Sequence, residues 1–200
     1  MSLGGVPVLR DIDLALLSTQ VLGVVGPNGS GKTTLLRLAA TLLAPDQGTA
    51  AILGVDPSSP DVYRVRPQIG LIGHAPTLVP ELTLSENLDH VARLSGIDRS
   101  RVGPALSAVG LEGAAGRRAA ASSHGMQRRV EIAHLLMRRP RLLLLDEALT
   151  GLDSDAAGLV TAVVDRTSKS GGAVIMVAHD RSHLASCDLV ISLSNGRLMP

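Results

Sequence analysis

An α/β fold built on a parallel sheet is predicted by three features of this chain. Gly26-Pro27-Asn28-Gly29-Ser30-Gly31-Lys32-Thr33 satisfies the phosphate-cradling pattern G-x-x-x-x-G-K-[ST] at every specified position. It stands between an apolar run, Val21-Leu22-Gly23-Val24-Val25, and a helical pattern, Thr34-Leu35-Leu36-Arg37-Leu38-Ala39-Ala40, which is the strand–loop–helix setting its chemistry requires. Residues 142–145 and 173–177 are unbroken apolar runs without alternation, as expected of strands buried on both faces. A helix over about 155–168 between them completes a crossover.

The remaining elements follow in order. Val6, Val8, Ile12 and Leu14 nearly alternate, which predicts one or two antiparallel strands before the phosphate-loop strand. Pro45-Asp46-Gln47-Gly48 is a turn, and Thr49-Ala50-Ala51-Ile52-Leu53-Gly54 reads as a strand returning toward that small sheet. Ile69-Gly70-Leu71-Ile72-Gly73 is a further strand. From Thr83 the period changes: Thr83 and Glu86 make a capping-box pair, and Leu84, Leu88, Val91 and Ala92 follow at helical spacing. A short helix is expected over 104–111, a loop over 117–123, and a longer helix over 125–139 with Val130, Ala133 and Met137 on one face, stopped by Pro140. The stretch 83–139 therefore reads as a mostly helical insertion into an α/β core, and residues 1–200 as one domain.

Composition narrows the function. The 200 residues are 45% hydrophobic, enough for a substantial core, and the formal charge is +1 from 19 basic and 18 acidic side chains. No strong field argues for nucleic acid, and Tyr63 is the sole Phe, Tyr or Trp, so base-stacking platforms are missing. No nucleic-acid partner is expected. Mean hydropathy is +0.27, yet no apolar stretch is long enough to span a bilayer. No signal-peptide pattern opens the chain. Cys187 is the single cysteine and cannot form an internal disulfide, which suits a reducing cytosol.

The residue types in the motifs point to nucleoside triphosphate chemistry. The loop from Gly26 to Thr34 supplies main-chain N–H groups to phosphate oxygens, and the helix behind it adds the positive end of its dipole. Lys32 can reach the β- and γ-phosphates, and Thr33 offers a hydroxyl to Mg²⁺. Leu142-Leu143-Leu144-Leu145-Asp146-Glu147 delivers two carboxylates at a strand's C-terminal end, where open α/β sheets bind ligands. One can hold Mg²⁺ and the other can orient or deprotonate water. His179 follows the strand Val174-Ile175-Met176-Val177, where it can bond the γ-phosphate and fix that water relative to Glu147.

These motifs, with Ser122-Ser123-His124-Gly125-Met126-Gln127-Arg128-Arg129 and Leu149-Thr150-Gly151-Leu152-Asp153, occur in the order of an ABC-transporter ATPase, and the resemblance covers nearly the whole chain. It implies a P-loop NTPase (RecA-like) core, a small antiparallel β-subdomain and an inserted helical subdomain. By resemblance Gly26, Pro27, Asn28, Gly29, Ser30, Gly31, Lys32, Thr33 and Thr34 bind ATP, with Lys32 also catalytic. Thr33 and Asp146 hold Mg²⁺, Glu147 is the catalytic base and His179 the switch histidine. Ser123, Gly125 and Asp153 would touch nucleotide across a head-to-tail dimer, and membrane-spanning subunits would anchor the pair to the inner face of the membrane. The run Gly73-His74-Ala75-Pro76 through Glu81-Leu82-Thr83-Leu84-Ser85-Glu86-Asn87-Leu88 looks like the heme-exporter ATPases of cytochrome c maturation. Drug and polysaccharide exporter ATPases share much of it, and a weakly hydrolysing regulatory module is a further alternative.

Four departures stand out. Ser122-Ser123-His124-Gly125-Met126 replaces L-S-G-G-Q but keeps one serine and one glycine. Ala75 stands where the family has the Q-loop glutamine and brings no side-chain oxygen to metal or water. Met1 to Leu17 has no aromatic residue to stack on adenine, so base preference is loose or the true start lies upstream. Ala148 follows Glu147 where proline is usual. The pairs Arg117-Arg118, Arg128-Arg129 and Arg138-Arg139 read as solvated helix faces.

Overall fold

The computed structural model describes residues 1–150 and 152–199. Contacts divide them into a sheet unit, residues 1–71, 140–148 and 167–200, and a helical unit, residues 72–139 and 149–166.

The sheet unit is organised by three fully buried apolar strands. Strands β3 (Val21–Val25), β5 (Leu142–Asp146) and β6 (Ala173–Ala178) are buried at every position. With β4 (Ile69–Ile72), β7 (Leu189–Ser194) and β8 (Arg197–Met199) they form one sheet in the order β4-β5-β6-β3-β7-β8. β5, β6, β3 and β7 run parallel in continuous register, and β8 returns antiparallel to β7. Their unbroken burial follows from that arrangement, since a parallel sheet is covered on both faces. Helix α1 (Lys32–Ala39) leaves directly from the loop after β3 and buries Leu35, Leu36 and Ala39 among Leu22, Val24, Leu144 and Ile175. Each of the two leucines stabilises the unit by roughly 1.5–3 kcal/mol.

The small antiparallel sheet is β1 (Ser2–Leu3) paired with β2 (Val6–Pro7). The strand expected over 49–54 does not form. It reduces to a single bridge, Ile52 with Val55, because Leu53 and Gly54 both take left-handed backbone angles and reverse the chain before a ladder can grow. A short helix, α2 (Val62–Val65), precedes β4 and was not legible in the pattern.

In the helical unit, α3 (Leu84–Leu94) begins on the predicted capping box: Glu86 N–H donates to Thr83 Oγ1 at 3.1 Å and Thr83 N–H to Glu86 Oε2 at 2.8 Å. α4 (Val102–Ala108) and α5 (His124–Arg138) follow, and Val130, Ala133 and Met137 of α5 are all buried. Asn87 closes the turn before α3, receiving Val79 N–H at 2.8 Å and donating to Val79, Leu82 and Thr83 carbonyls. α6 (Ser154–Lys169) carries the chain back toward β6. Among the described residues no helix is long and apolar enough to cross a membrane.

Candidate functional site

The phosphate loop is shaped by what its backbone must do. Gly31 has φ 107°, and a Cβ there would meet Leu9 Cδ2 at 2.8 Å, so only glycine fits the entry to α1. Pro27, Asn28 and Gly29 form an exposed rim, while Ser30, Lys32 and Thr34 are buried. Lys32 is 6% exposed, and its ammonium donates to Gly26 O at 2.6 Å and Pro27 O at 3.0 Å. A lysine this buried ordinarily pairs with a carboxylate; these partners are neutral carbonyls on the loop itself. Ser30 Oγ is buried without a hydrogen-bond partner, and α1 has no side-chain N-cap. A buried cation, an orphan hydroxyl and an uncapped helix start meet on one loop. That combination suits a polyphosphate, which would bring acceptor oxygens to all three.

At the C-terminal ends of β5 and β6 two further pairs form. Thr33 Oγ1 donates to Asp146 Oδ2 at 3.0 Å, placing two hard oxygen donors side by side. Among the described residues no cluster of three or more His, Cys, Asp or Glu could hold a metal alone. A Mg²⁺ ion at this pair would therefore complete its shell with phosphate and water oxygens, its usual habit. Next to Asp146, Glu147 takes φ 54°, left-handed for a non-glycine residue, and its N–H is pinned to Val177 O at 3.0 Å. Such a backbone costs of order 1–3 kcal/mol and persists where the surroundings enforce it, typically at functional sites. Here it accompanies a contact of 2.7 Å between Glu147 Oε1 and His179 Nε2, with the histidine half exposed. The predicted residues Lys32, Thr33, Asp146, Glu147 and His179 thus all lie in the sheet unit, the last four as two couples, Thr33–Asp146 and Glu147–His179, at the ends of β5 and β6.

Ser123, Gly125 and Asp153 belong to the helical unit. Ser123 is the N-cap of α5, its Oγ accepting from Met126 N–H at 3.2 Å. Gly125 is half-buried, and a Cβ there would meet nothing closer than 4.0 Å, so packing within the chain does not require a glycine. Asp153 Oδ1 accepts from Ala156 N–H at 2.7 Å and from Arg129 Nη2 at 3.3 Å, capping α6 and tying it to α5. The Ala156 amide and, behind it, the Arg129 guanidinium hold this carboxyl below its ordinary range. Gly151, of the same motif, lies outside the described residues.

Sequence reasoning misjudged one arginine and missed its partner. Arg128 is not on a solvated face: it is 1% exposed, bonded to Glu131 Oε2 at 2.7 Å and donating to Gly73 O at 2.9 Å and His74 O at 2.8 Å. Glu131 in turn accepts from Thr77 N–H at 3.0 Å and Thr77 Oγ1 at 3.3 Å. Its place on α5, three residues after Arg128 and one after the buried Val130, was the available signal. The loop 73–77, where Ala75 replaces the expected glutamine, is thereby clamped to α5.

Comparison with known proteins agrees with this geometry. The family model for ABC transporters matches residues 9–150. The cytochrome c biogenesis ATP-binding export protein CcmA of Cupriavidus necator is 40% identical over 182 residues, covering 89% of this chain and 79% of that protein. The lipoprotein-releasing system ATP-binding protein LolD of Ruegeria pomeroyi is 37% identical over 204 residues, covering 98% of this chain and 90% of the relative. Among solved structures, a dimeric ATP-binding cassette in a post-hydrolysis state with ADP and Pi superposes with a TM-score of 0.84 at 25% identity, covering 96% of this chain and 89% of that one. The chain belongs to the ABC transporter family, as an ATP-binding, ATP-hydrolysing subunit with the P-loop NTPase fold.

Proposed function

We propose that residues 1–200 act as one nucleotide-binding domain that powers a membrane exporter, with heme for cytochrome c biogenesis as cargo. The observation that carries the catalytic part is the pair of couples at the strand ends, Thr33–Asp146 at 3.0 Å and Glu147–His179 at 2.7 Å. Gly26 to Thr34 hold the phosphates, and Lys32 turns its ammonium from the loop carbonyls to the β- and γ-oxygens. Thr33 and Asp146 would hold Mg²⁺, which would supply charge neutralisation to the phosphates. Glu147 orients and deprotonates the attacking water, and His179 holds Glu147 and donates to the γ-phosphate. Two chains assemble head to tail, with Ser123 and Gly125 of each at the partner's γ-phosphate and Asp153 alongside. A glycine at 125 that close packing in its own chain does not demand supports that reading, as does the dimeric relative. The dimer docks on membrane-spanning subunits at the inner face of the membrane.

The heme reading draws on the 40% identity to an export protein named for cytochrome c biogenesis. The similar identity to a lipoprotein-releasing ATPase favours a second cargo class, lipid-modified protein, on the same machinery. Glu147→Gln is expected to lower kcat by about 10²- to 10⁴-fold while MgATP still binds and a dimer accumulates in light scattering. Wild-type turnover by that variant would remove Glu147 from its role. ATPase activity of the complex with its own membrane subunits, assayed with heme and with lipoprotein, separates the cargoes: stimulation by lipoprotein alone overturns heme.

A further inference from the structure

The turn joining β7 to β8 reaches the phosphate loop, yet none of the chemistry above uses it. Asn195 (φ 48°) and Gly196 (φ 76°) are the two central residues of a two-residue hairpin loop, both left-handed as the twist of the flanking strands favours. Gly196 N–H donates to Ser30 O at 3.1 Å, and Gly196 O accepts from Arg10 N–H at 2.8 Å. A Cβ on Gly196 would fall 2.1 Å from Val8 O, so the turn is wedged tight between the 8–10 segment and the loop. The strand leading into the turn takes part as well. Leu193 O would lie 2.1 Å from a Cβ on Gly26, and Leu193 Cδ2 would lie 3.5 Å from one on Gly31. By contrast, nothing lies within 4 Å of a Cβ on Gly29, at the exposed crest.

We propose that Gly196 is a positioning residue for nucleotide binding, holding the phosphate loop from behind through the Ser30 carbonyl. This rests on the reading of Gly26 to Thr34 as the cradle for ATP phosphates. The glycines at 26, 29 and 31 each lose more conformational freedom on ordering than any other residue would. Its amides grip phosphate well only if that ordering is done before the ligand arrives. Few contacts are available for the purpose: Pro27 O takes the Ser30 N–H at 3.2 Å, and Lys32 reaches only the first two carbonyls. The Gly196 amide fixes the loop at its midpoint, on the side away from the open crest. The chain's last hairpin thereby serves its first motif.

The test is calorimetric titration of MgATP into the wild type, Gly196→Ala and Asn195→Gly, with steady-state ATPase kinetics on each. Gly196→Ala keeps the N–H but cannot keep its place against Val8 O; Kd and KM are expected to rise about tenfold, with kcat at saturation within about twofold. Asn195→Gly keeps the turn and the amide and is expected to match the wild type. A folded Gly196→Ala with wild-type Kd overturns the proposal. So does a variant whose kcat falls while KM is unchanged, the signature of a smaller folded fraction. If Gly196→Ala does not fold, Leu9→Val trims the side chain that packs on Gly31 from the same side. Its KM is then expected to rise about threefold at constant kcat, and an unchanged KM overturns the proposal. Wild-type protein that takes up no MgATP would overturn the reading of the loop and this inference with it. Tight wild-type binding with an indifferent Gly196→Ala would sink the inference alone.

Discussion

In the sheet unit the charged side chains buried among the described residues are Lys32 and Asp146; in the helical unit they are Arg128 and Glu131. The two sets are satisfied differently. Lys32 rests on two loop carbonyls and Asp146 on a threonine hydroxyl, at the ends of strands where a ligand can reach them. Arg128 and Glu131 bond to each other and to the backbone of 73–77, with Arg128 Nε alone of that guanidinium's nitrogens left without an acceptor. A buried charge without an opposite charge marks a place for something else to bind. A buried charge held by its counter-ion and by backbone acceptors is a strut. The comparison also separates chemistry from packing, since both sets look alike when only burial is considered.

Substituting each cation by methionine tests that division, and the largest stability effect is expected in the helical unit. Arg128→Met strands Glu131 and two carbonyls away from water, a loss of about 3–5 kcal/mol by chemical denaturation. Lys32→Met removes a charge whose partners are neutral and is expected to cost no more than about 1 kcal/mol, while abolishing measurable MgATP affinity. Equal destabilisation by the two variants would break the comparison. Arg128→Met combined with Glu131→Leu removes the strut entirely, and is expected to recover most of the loss, because a well-packed apolar replacement leaves no unpaired charge.

The sheet unit was the more legible in sequence for a physical reason. Its strands are covered on both faces, so they appear as unbroken apolar runs, and the loop between β3 and α1 is fixed by backbone demands that only particular residues meet. The capping box at Thr83 was readable for the same reason: it is a local contract between neighbours in the chain. Arg128 was not, because its acceptors at Gly73 and His74 lie more than fifty residues away. β7 and β8 also went unread. β7 is mostly half-buried rather than fully apolar, although Asn195-Gly196 between them is a strong hairpin signal. The short strand expected at 49–54 failed because an apolar run says nothing about whether a partner strand exists.

Acid is expected to weaken the helical unit through His134. Its Nε2 is buried without a partner, and burial, with Arg138 adding repulsion, lowers its pKa to about 4. A histidine depressed from 6.5 contributes stability that is present above pH 6.5 and lost as the pH falls toward 4, since the unfolded chain takes up the proton first. The loss over that window is about 2–3 kcal/mol. Glu131 works in the opposite direction: burial pushes its carboxyl up despite Arg128, so its cost eases as the pH falls. Denaturation midpoints measured from pH 7 to pH 4 should therefore drop in the wild type and stay flatter in His134→Gln. A wild-type slope unchanged in that variant would assign the acid sensitivity elsewhere.

The smallest effect sharpens the contrast at helix starts. α3 satisfies its first-turn amides with Thr83 and Glu86, whereas α1, which begins at Lys32 after Gly31, has no side-chain cap. An uncapped helix forgoes stabilisation that a single serine, threonine or aspartate would supply, and α1 forgoes it where phosphate is expected to serve as the cap. Thr83→Ala should cost about 1 kcal/mol in denaturation and leave Kd for MgATP unchanged. The Thr83 amide and hydroxyl also hold the Glu86 carboxyl below its ordinary range, so removing the hydroxyl should raise the pH at which that carboxylate protonates, visible by NMR titration. A shift in Kd from so distant a cap in the sequence would mean that the two units do not divide stability and binding between them. An unchanged Kd with the expected loss of stability would place the helix caps of the helical unit on the side of folding alone.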